Sequence, residues 1–165
     1  MGIAFSFTVD DGSVRAGMVV INANVKNLIP FWEGVFAPAY FAQVQDLFAL
    51  EGQSRGSGGQ FGPGSWAPLS PAYAAWKKRH FPGKLILERT GKMRESLNWQ
   101  GASLGAGGVF VPRRDAVTVG TSVAYGKYHQ HGTPKMPRRE FLPTPDARRY
   151  ARMLSAWILG REVDT

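Results

Sequence analysis

The 165-residue sequence predicts a single α+β domain over residues 1–165, with a small central antiparallel sheet packed with helices. Three observations carry that expectation. The length suits one packed core and not two. Segments of strand period occur at Ile3–Val9 and again around Val109 and Val119. Apolar residues recur at steps of three and four elsewhere, and several of these stretches open with a capping residue and a proline.

Taking the elements in order, Ile3, Phe5, Phe7 and Val9 alternate with Ala4, Ser6 and Thr8, the pattern of a half-buried strand, and Asp10-Asp11-Gly12 supplies a turn after it. Val14, Met18, Ile21, Val25 and Leu28 then mark one face of a helix capped by Ser13, with the β-branched cluster Val19-Val20-Ile21 leaving a strand as the alternative. Pro30 fits the first turn of a second helix through Trp32, Phe36, Tyr40, Val44 and Phe48, which Pro38 should kink or restart near Ala37. Residues 52–65 (GQSRGSGGQFGPGS) lack periodicity and are expected to form a flexible Gly/Ser-rich loop. Ser70-Pro71 opens a helix that carries Tyr73, Trp76 and His80 on one face and stops at Pro82-Gly83. Thr90 caps a short helix through Met93 and Leu97. Gly108–Val111 and Ala116–Val119, joined by Pro112-Arg113-Arg114-Asp115, form a hairpin. Tyr125–Gln130 makes one or two helical turns ended by Gly132 and Pro134. Thr144-Pro145-Asp146 starts the last helix, whose apolar face is Ala147, Tyr150, Ala151, Leu154, Trp157 and Ile158.

Composition narrows the function classes. The apolar share of 44% and the five tryptophans fit a packed globule. With no cysteine, the chain has no disulfide, thiolate zinc site or cysteine nucleophile, in keeping with folding in a reducing cytoplasm. Neither a secretory signal nor a stretch of about 18 apolar residues is visible, so no membrane association is expected. The net charge of +8 is uneven: residues 1–76 carry three bases against five acids, and residues 77–165 carry 17 bases against seven acids. A basic half favours contact with a polyanion or an acidic partner, and otherwise forms a solvated face.

The sequence sets up no catalytic constellation. His129 and His131 are two apart, with no Asp or Glu between Asp115 and Glu140 to complete a metal site. Ser70 is explained as a helix cap, and the Gly101–Gly108 run GASLGAGG lacks the lysine of a phosphate-binding loop. A non-enzymatic protein without a cofactor is expected. Two basic clusters stand out, Lys77-Lys78-Arg79 with Lys84, Arg89, Lys92 and Arg94, and Lys135, Arg138, Arg139, Arg148, Arg149 and Arg152. They suit phosphate contact without base readout. Nearby Tyr73, Trp76 and Phe81 have the helical spacing of packing residues more than of a base-stacking platform.

Four short runs carry a resemblance. They are Trp66–Lys77 (WAPLSPAYAAWK), Ile86–Gly91 (ILERTG), Tyr125–Gly132 (YGKYHQHG) and Arg138–Leu142 (RREFL). In order and spacing, over about residues 28–145, the chain resembles the phage virion morphogenesis family, the tail completion proteins of Mu-like phages and their relatives in the head–tail neck. The matching positions are Trp66, Pro68, Leu69 and Ser70 with Tyr73, Trp76 and Lys77; then Ile86, Leu87, Thr90, Gly91 and Met93; then Tyr125, Gly126, His129 and Gly132, with glycine at 126 where alanine is more usual; then Pro137, Arg139, Phe141 and Leu142. Ile3–Val9 and the Gly-rich loop are not part of the pattern.

The resemblance implies a structural subunit of the virion tail or neck, assembled in the host bacterial cytoplasm, that forms a ring to complete the tail or join it to the head. Family and tail geometry imply a hexameric homo-oligomer, with tail tube and head connector proteins as neighbours and non-specific contact with passing DNA. A head–tail connector or adaptor that stays with the capsid is the first alternative, and a non-specific DNA-binding protein is the second. The expected oligomer or partner interface comprises Trp66, Tyr73, Trp76, Tyr125, His129, Arg138, Arg139 and Phe141. Arg138 and Arg139 beside Phe141 pair forked cation donors with an apolar anchor.

Overall fold

A computed structural model describes residues 12–52, 66–101 and 103–163, with residues 12–15 in backbone only. The anticipated strand Ile3–Val9, its turn at Asp10-Asp11 and nearly all of the Gly/Ser-rich loop lie outside the described residues. In chain order the elements are α1 (Gly12–Lys26), α2 (Ile29–Phe31), a π-helical turn (Trp32–Phe36), α3 (Ala37–Ala49), α4 (Pro71–His80), α5 (Lys92–Ser96), β1 (Gly108–Pro112), β2 (Val117–Thr121), α6 (Gly126–His131) and α7 (Ala147–Ile158). The α+β class is as the sequence predicts.

Helix α3 organises the core. From Ile29 to Ala49 the chain is a rod, helical throughout, and regular α-helix restarts at Ala37, just before Pro38, as expected, after a π-helical turn. Proline lacks an amide hydrogen, and its ring collides with the carbonyl four residues back in a regular helix. Here the turn before it widens, and the Ala37 amide donates to the Trp32 carbonyl five residues earlier. The rod buries Phe31, Phe36, Tyr40, Phe41, Val44, Leu47 and Phe48, which places an apolar side chain on the inner face at nearly every turn. Fully burying each such side chain is worth roughly 1.5–3 kcal/mol.

Other elements pack around the rod through aromatic contacts. Tyr150 of α7 lies 4.8 Å from Phe36, and Trp99 stacks on Phe41 at 5.9 Å. Phe110 of β1 contacts Trp99 edge-on at 4.8 Å, and Trp66 meets Phe48 edge-on at 5.4 Å. Polar ties fix the register of these contacts. The Tyr40 hydroxyl donates to the Pro143 carbonyl at 2.9 Å, and burial holds its pKa above the usual phenol range. Gln45 Nε2 donates to the Arg94 and Leu97 carbonyls, both at 3.1 Å, binding α3 to the end of α5.

The hairpin pairs antiparallel from Gly108↔Thr121 to Pro112↔Val117. The Arg113 amide closes its turn on the Ala116 carbonyl at 2.7 Å. Phe110, Val117 and Val119 pack on the core. The sheet is thus a small antiparallel ribbon packed with helices, as the sequence predicts; a two-stranded ribbon has too little apolar face to be a core by itself.

Three cap assignments change. Ser70 precedes α4 with extended backbone but makes no side-chain capping bond. Gly91, with φ at +78°, precedes α5 in place of Thr90. Asp146 caps α7, accepting from the amides of Arg148 at 2.9 Å and Arg149 at 3.3 Å, where the sequence pointed to Thr144. The carboxylate also opposes the positive end of the helix dipole.

Candidate functional site

Three of the four runs that carry the family resemblance meet in one bonded junction beside the C-terminal end of α3, and the second run is held next to it. The Trp66 indole N–H donates to the Glu140 carbonyl at 2.8 Å, joining the first run to the last. Arg139 returns the tie, its Nε donating to the Ala67 carbonyl at 2.7 Å and its Nη2 to the Pro68 carbonyl at 3.0 Å. The Arg139 amide donates to the His129 carbonyl at 2.8 Å, which adds the third run. Gln130 completes that link: its Oε1 accepts from the amides of Phe141 at 3.1 Å and Leu142 at 3.0 Å, and its Nε2 donates to the Leu142 carbonyl at 2.8 Å. One side-chain amide thus does for this segment what a neighbouring strand does for an edge.

The second run is held from both sides. Lys77, buried near the end of α4, donates to the Leu85 carbonyl. Glu51 Oε1 accepts from the Ile86 amide at 2.6 Å. Glu88 is buried and pairs with Arg94 at 2.6 Å. Burial lowers the Lys77 pKa, Arg139 lowers it further, and Glu51 and Glu88 act in the opposite direction. Two buried cations and two carboxylates therefore sit in one polar network, where each group also has a fixed backbone or side-chain partner.

Phe141 closes the junction from the apolar side. It is 1% exposed and lies 6.1 Å from the Phe48 ring. A Cβ placed on Gly126 would stand 3.3 Å from the tip of the Phe141 ring and 3.4 Å from the Thr121 methyl. The glycine at position 126 thus admits a close ring. Gly132 has φ at +75° and ψ at 175°, and a Cβ there would come within 2.9 Å of the Arg138 amide nitrogen. Its backbone state is one that only glycine adopts readily.

These positions correct the expected interface. Trp66, Arg139 and Phe141 are buried within the subunit, Arg139 at 4% exposure, and so are not available on the surface of a folded subunit. The reason is the one just described: the guanidinium is spent on two carbonyls, and the aromatic rings fill the junction's apolar floor. His129 is half-buried; its pKa is lowered by burial and then by Arg139, and its Nδ1 finds no partner among the described residues.

Tyr73, Tyr125 and Arg138 are exposed and Trp76 is half-exposed. Tyr73, Trp76 and His80 form a stacked ladder along α4, with ring centroids 5.5 and 4.7 Å apart. Exposed Lys78 and Arg79 follow Trp76 on the same helix. Arg138 pairs with Glu140.

Sequence reasoning missed Gln130, Glu51, Glu88 and the burial of Lys77. A glutamine or lysine in a polar helical run carries no sign of burial, because its partners are backbone carbonyls and amides from distant segments. Among the described residues no group of three His, Asp or Glu side chains is placed to hold a metal ion, and no helix is long and apolar enough to cross a membrane. The junction's polar groups hold one another, an arrangement suited to rigidity. In comparisons with known proteins, no family model, curated protein or solved structure matches the chain.

Proposed function

We propose that this chain is a non-enzymatic structural subunit of a phage virion, which forms a ring at the neck to complete the tail or join it to the head. The observation that carries the reading is the junction. Three of the four runs that resemble the virion morphogenesis family, spanning residues 66 to 142, are bonded to one another through Trp66, Arg139 and Gln130, and Lys77 of the first run donates to Leu85 beside the second. Motifs that serve a common scaffold are expected to meet in this way, and the engaged state of their polar groups favours a building block over a catalyst. A homo-oligomeric ring, tail tube and head connector neighbours, and a site in the virion all belong to this proposal.

One observation favours a second reading, non-specific nucleic-acid binding. The stacked Tyr73–Trp76–His80 ladder beside exposed Lys78 and Arg79 combines π-faces with cations, the elements of a sequence-tolerant binding surface. The two readings separate in one experiment: mass in solution by light scattering, at low and moderate salt, with and without short duplex DNA. A closed ring without DNA supports the structural subunit. A monomer that shifts only with DNA, and loses the shift as salt rises, supports nucleic-acid binding.

A further inference from the structure

Helix α1 runs for 15 residues, about 22 Å at 1.5 Å per residue. Its anchorage is at the C-terminal end. Asn24 Nδ2 donates to the Trp157 and Ile158 carbonyls at 3.2 and 3.4 Å. The Leu28 amide donates to the Arg114 carbonyl at 3.0 Å, and the Arg114 side chain donates to the Lys26 carbonyl. Toward the N-terminus, Ala16, Gly17, Met18, Val19 and Val20 are all exposed. Five consecutive helical residues sweep more than a full turn, so every face of this part lies open. On the helical face read from the sequence Met18 is 66% exposed and Val25 58%, and Val19 beside that face is 69% exposed, so this part of α1 stands as an arm.

An isolated helix of this length is marginal in water, more so with valines in its middle. It requires a packing partner. The same chain offers one. A cleft of about 630 Å³ opens between the π-helical turn, β2 and α7, lined by Phe31, Trp32, Phe36, Val119, Tyr150 and Leu154 among others. The buried Trp32 indole N–H has no acceptor among the described residues.

Charge points to self-recognition. Residues 16–25 contain no charged side chain, and neither does the lining of the cleft, on a chain of net charge +8. The net charge sits in residues 77–165, and contact between the arm of one copy and the cleft of another sets no like charges against each other. A convex apolar arm and a concave apolar cleft at different places on one chain make a heterologous contact, the kind that closes into rings.

We infer that α1 of one subunit docks into the Trp32–Tyr150 cleft of the next, and that this contact propagates the ring. The inference rests on the ring reading above and names the contact that builds it. A single helix covers less than the roughly 800 Å² per partner of a standard interface. Each subunit gives one arm and receives another, and closure of the ring multiplies these weak contacts.

The chain has no cysteine, which makes the test clean. Two single variants, Val19→Cys on the arm and Ala151→Cys at the cleft, are purified, mixed and treated with a short bismaleimide. Both native side chains are exposed, so neither substitution disturbs the core. The expected result is a cross-linked product of two chains that needs both variants, together with loss of the wild-type oligomer on Val19→Asp. Cross-linking within Val19→Cys alone, with none between the variants, would show arms meeting arms and overturn the proposal. A ring that survives Val19→Asp and yields no mixed product overturns the arm–cleft contact and leaves the ring reading standing. A wild-type chain that remains an 18.1 kDa monomer at millimolar concentration, without cross-links, overturns both.

Discussion

Replacing Phe141 with alanine separates a core residue from an interface residue. The ring is 1% exposed and borders Phe48 and Gly126. Truncating a buried phenylalanine costs about 3–5 kcal/mol, the lost transfer energy plus that of an incompletely collapsed cavity. Each kcal/mol lowers Tm by about 2–4 °C in a domain of 150–250 residues, so a fall of about 6–20 °C is expected. The assay is thermal and urea unfolding followed by tryptophan fluorescence, since Trp66 sits 5.4 Å from Phe48 on the same apolar floor. Phe141→Leu should fall between the two. Gly126→Ala adds a second arm: a new Cβ 3.3 Å from the Phe141 ring should destabilise the wild type and cost less in the Phe141→Leu background, a coupling readable in a double-mutant cycle. A Phe141→Ala subunit that keeps the wild-type Tm but no longer assembles would refute the packing argument and return Phe141 to the interface.

Three further outcomes are expected. Arg139→Met leaves the Ala67 and Pro68 carbonyls without their donor, at about 1–3 kcal/mol each, and should lower the urea midpoint without changing the slope. Gly132→Ala should lose about 1–3 kcal/mol from backbone strain alone, with the clash at Arg138 added, and would show as reduced Tm. The His129 pKa is lowered in the folded state, so below pH 6.5 the unfolded chain binds more protons at this site than the native one. Stability from this group is fully present above pH 6.5 and is lost as pH falls toward the folded pKa. His129→Gln should accordingly flatten the dependence of Tm on pH between about 7.5 and 5.5.

Much of the fold was legible because the signals are local. Pro71 marks the start of α4, Gly132 the end of α6, and the hairpin turn lies at Arg113–Ala116, all short-range punctuation. The apolar period of Phe36, Tyr40, Val44 and Phe48 identified the central helix. What escaped depends on where distant segments end up. Periodicity shows that Met18 and Val25 share a face, and says nothing of whether the same molecule covers it. Arg139 and Phe141 have the composition of an interface anchor. The same composition also suits an interior tie when carbonyls such as those of Ala67 and Pro68 arrive from far along the chain. Thr144 and Asp146 are both good caps, and the choice between them rests on where the first free amides fall.

The widened turn at Trp32–Phe36 sets the phase of the helical turn before it, Ile29–Phe31. A five-residue step between Phe31 and Phe36 would point the two rings apart on a regular helix, yet both are buried along the rod. One additional residue in a single turn brings them back into alignment. The angular position of Phe31 on the rod is therefore stored in that turn. Removing one residue from it would rotate Ile29–Phe31 by about 100° relative to α3, carrying the Phe31 ring off the buried face without altering a single aromatic side chain.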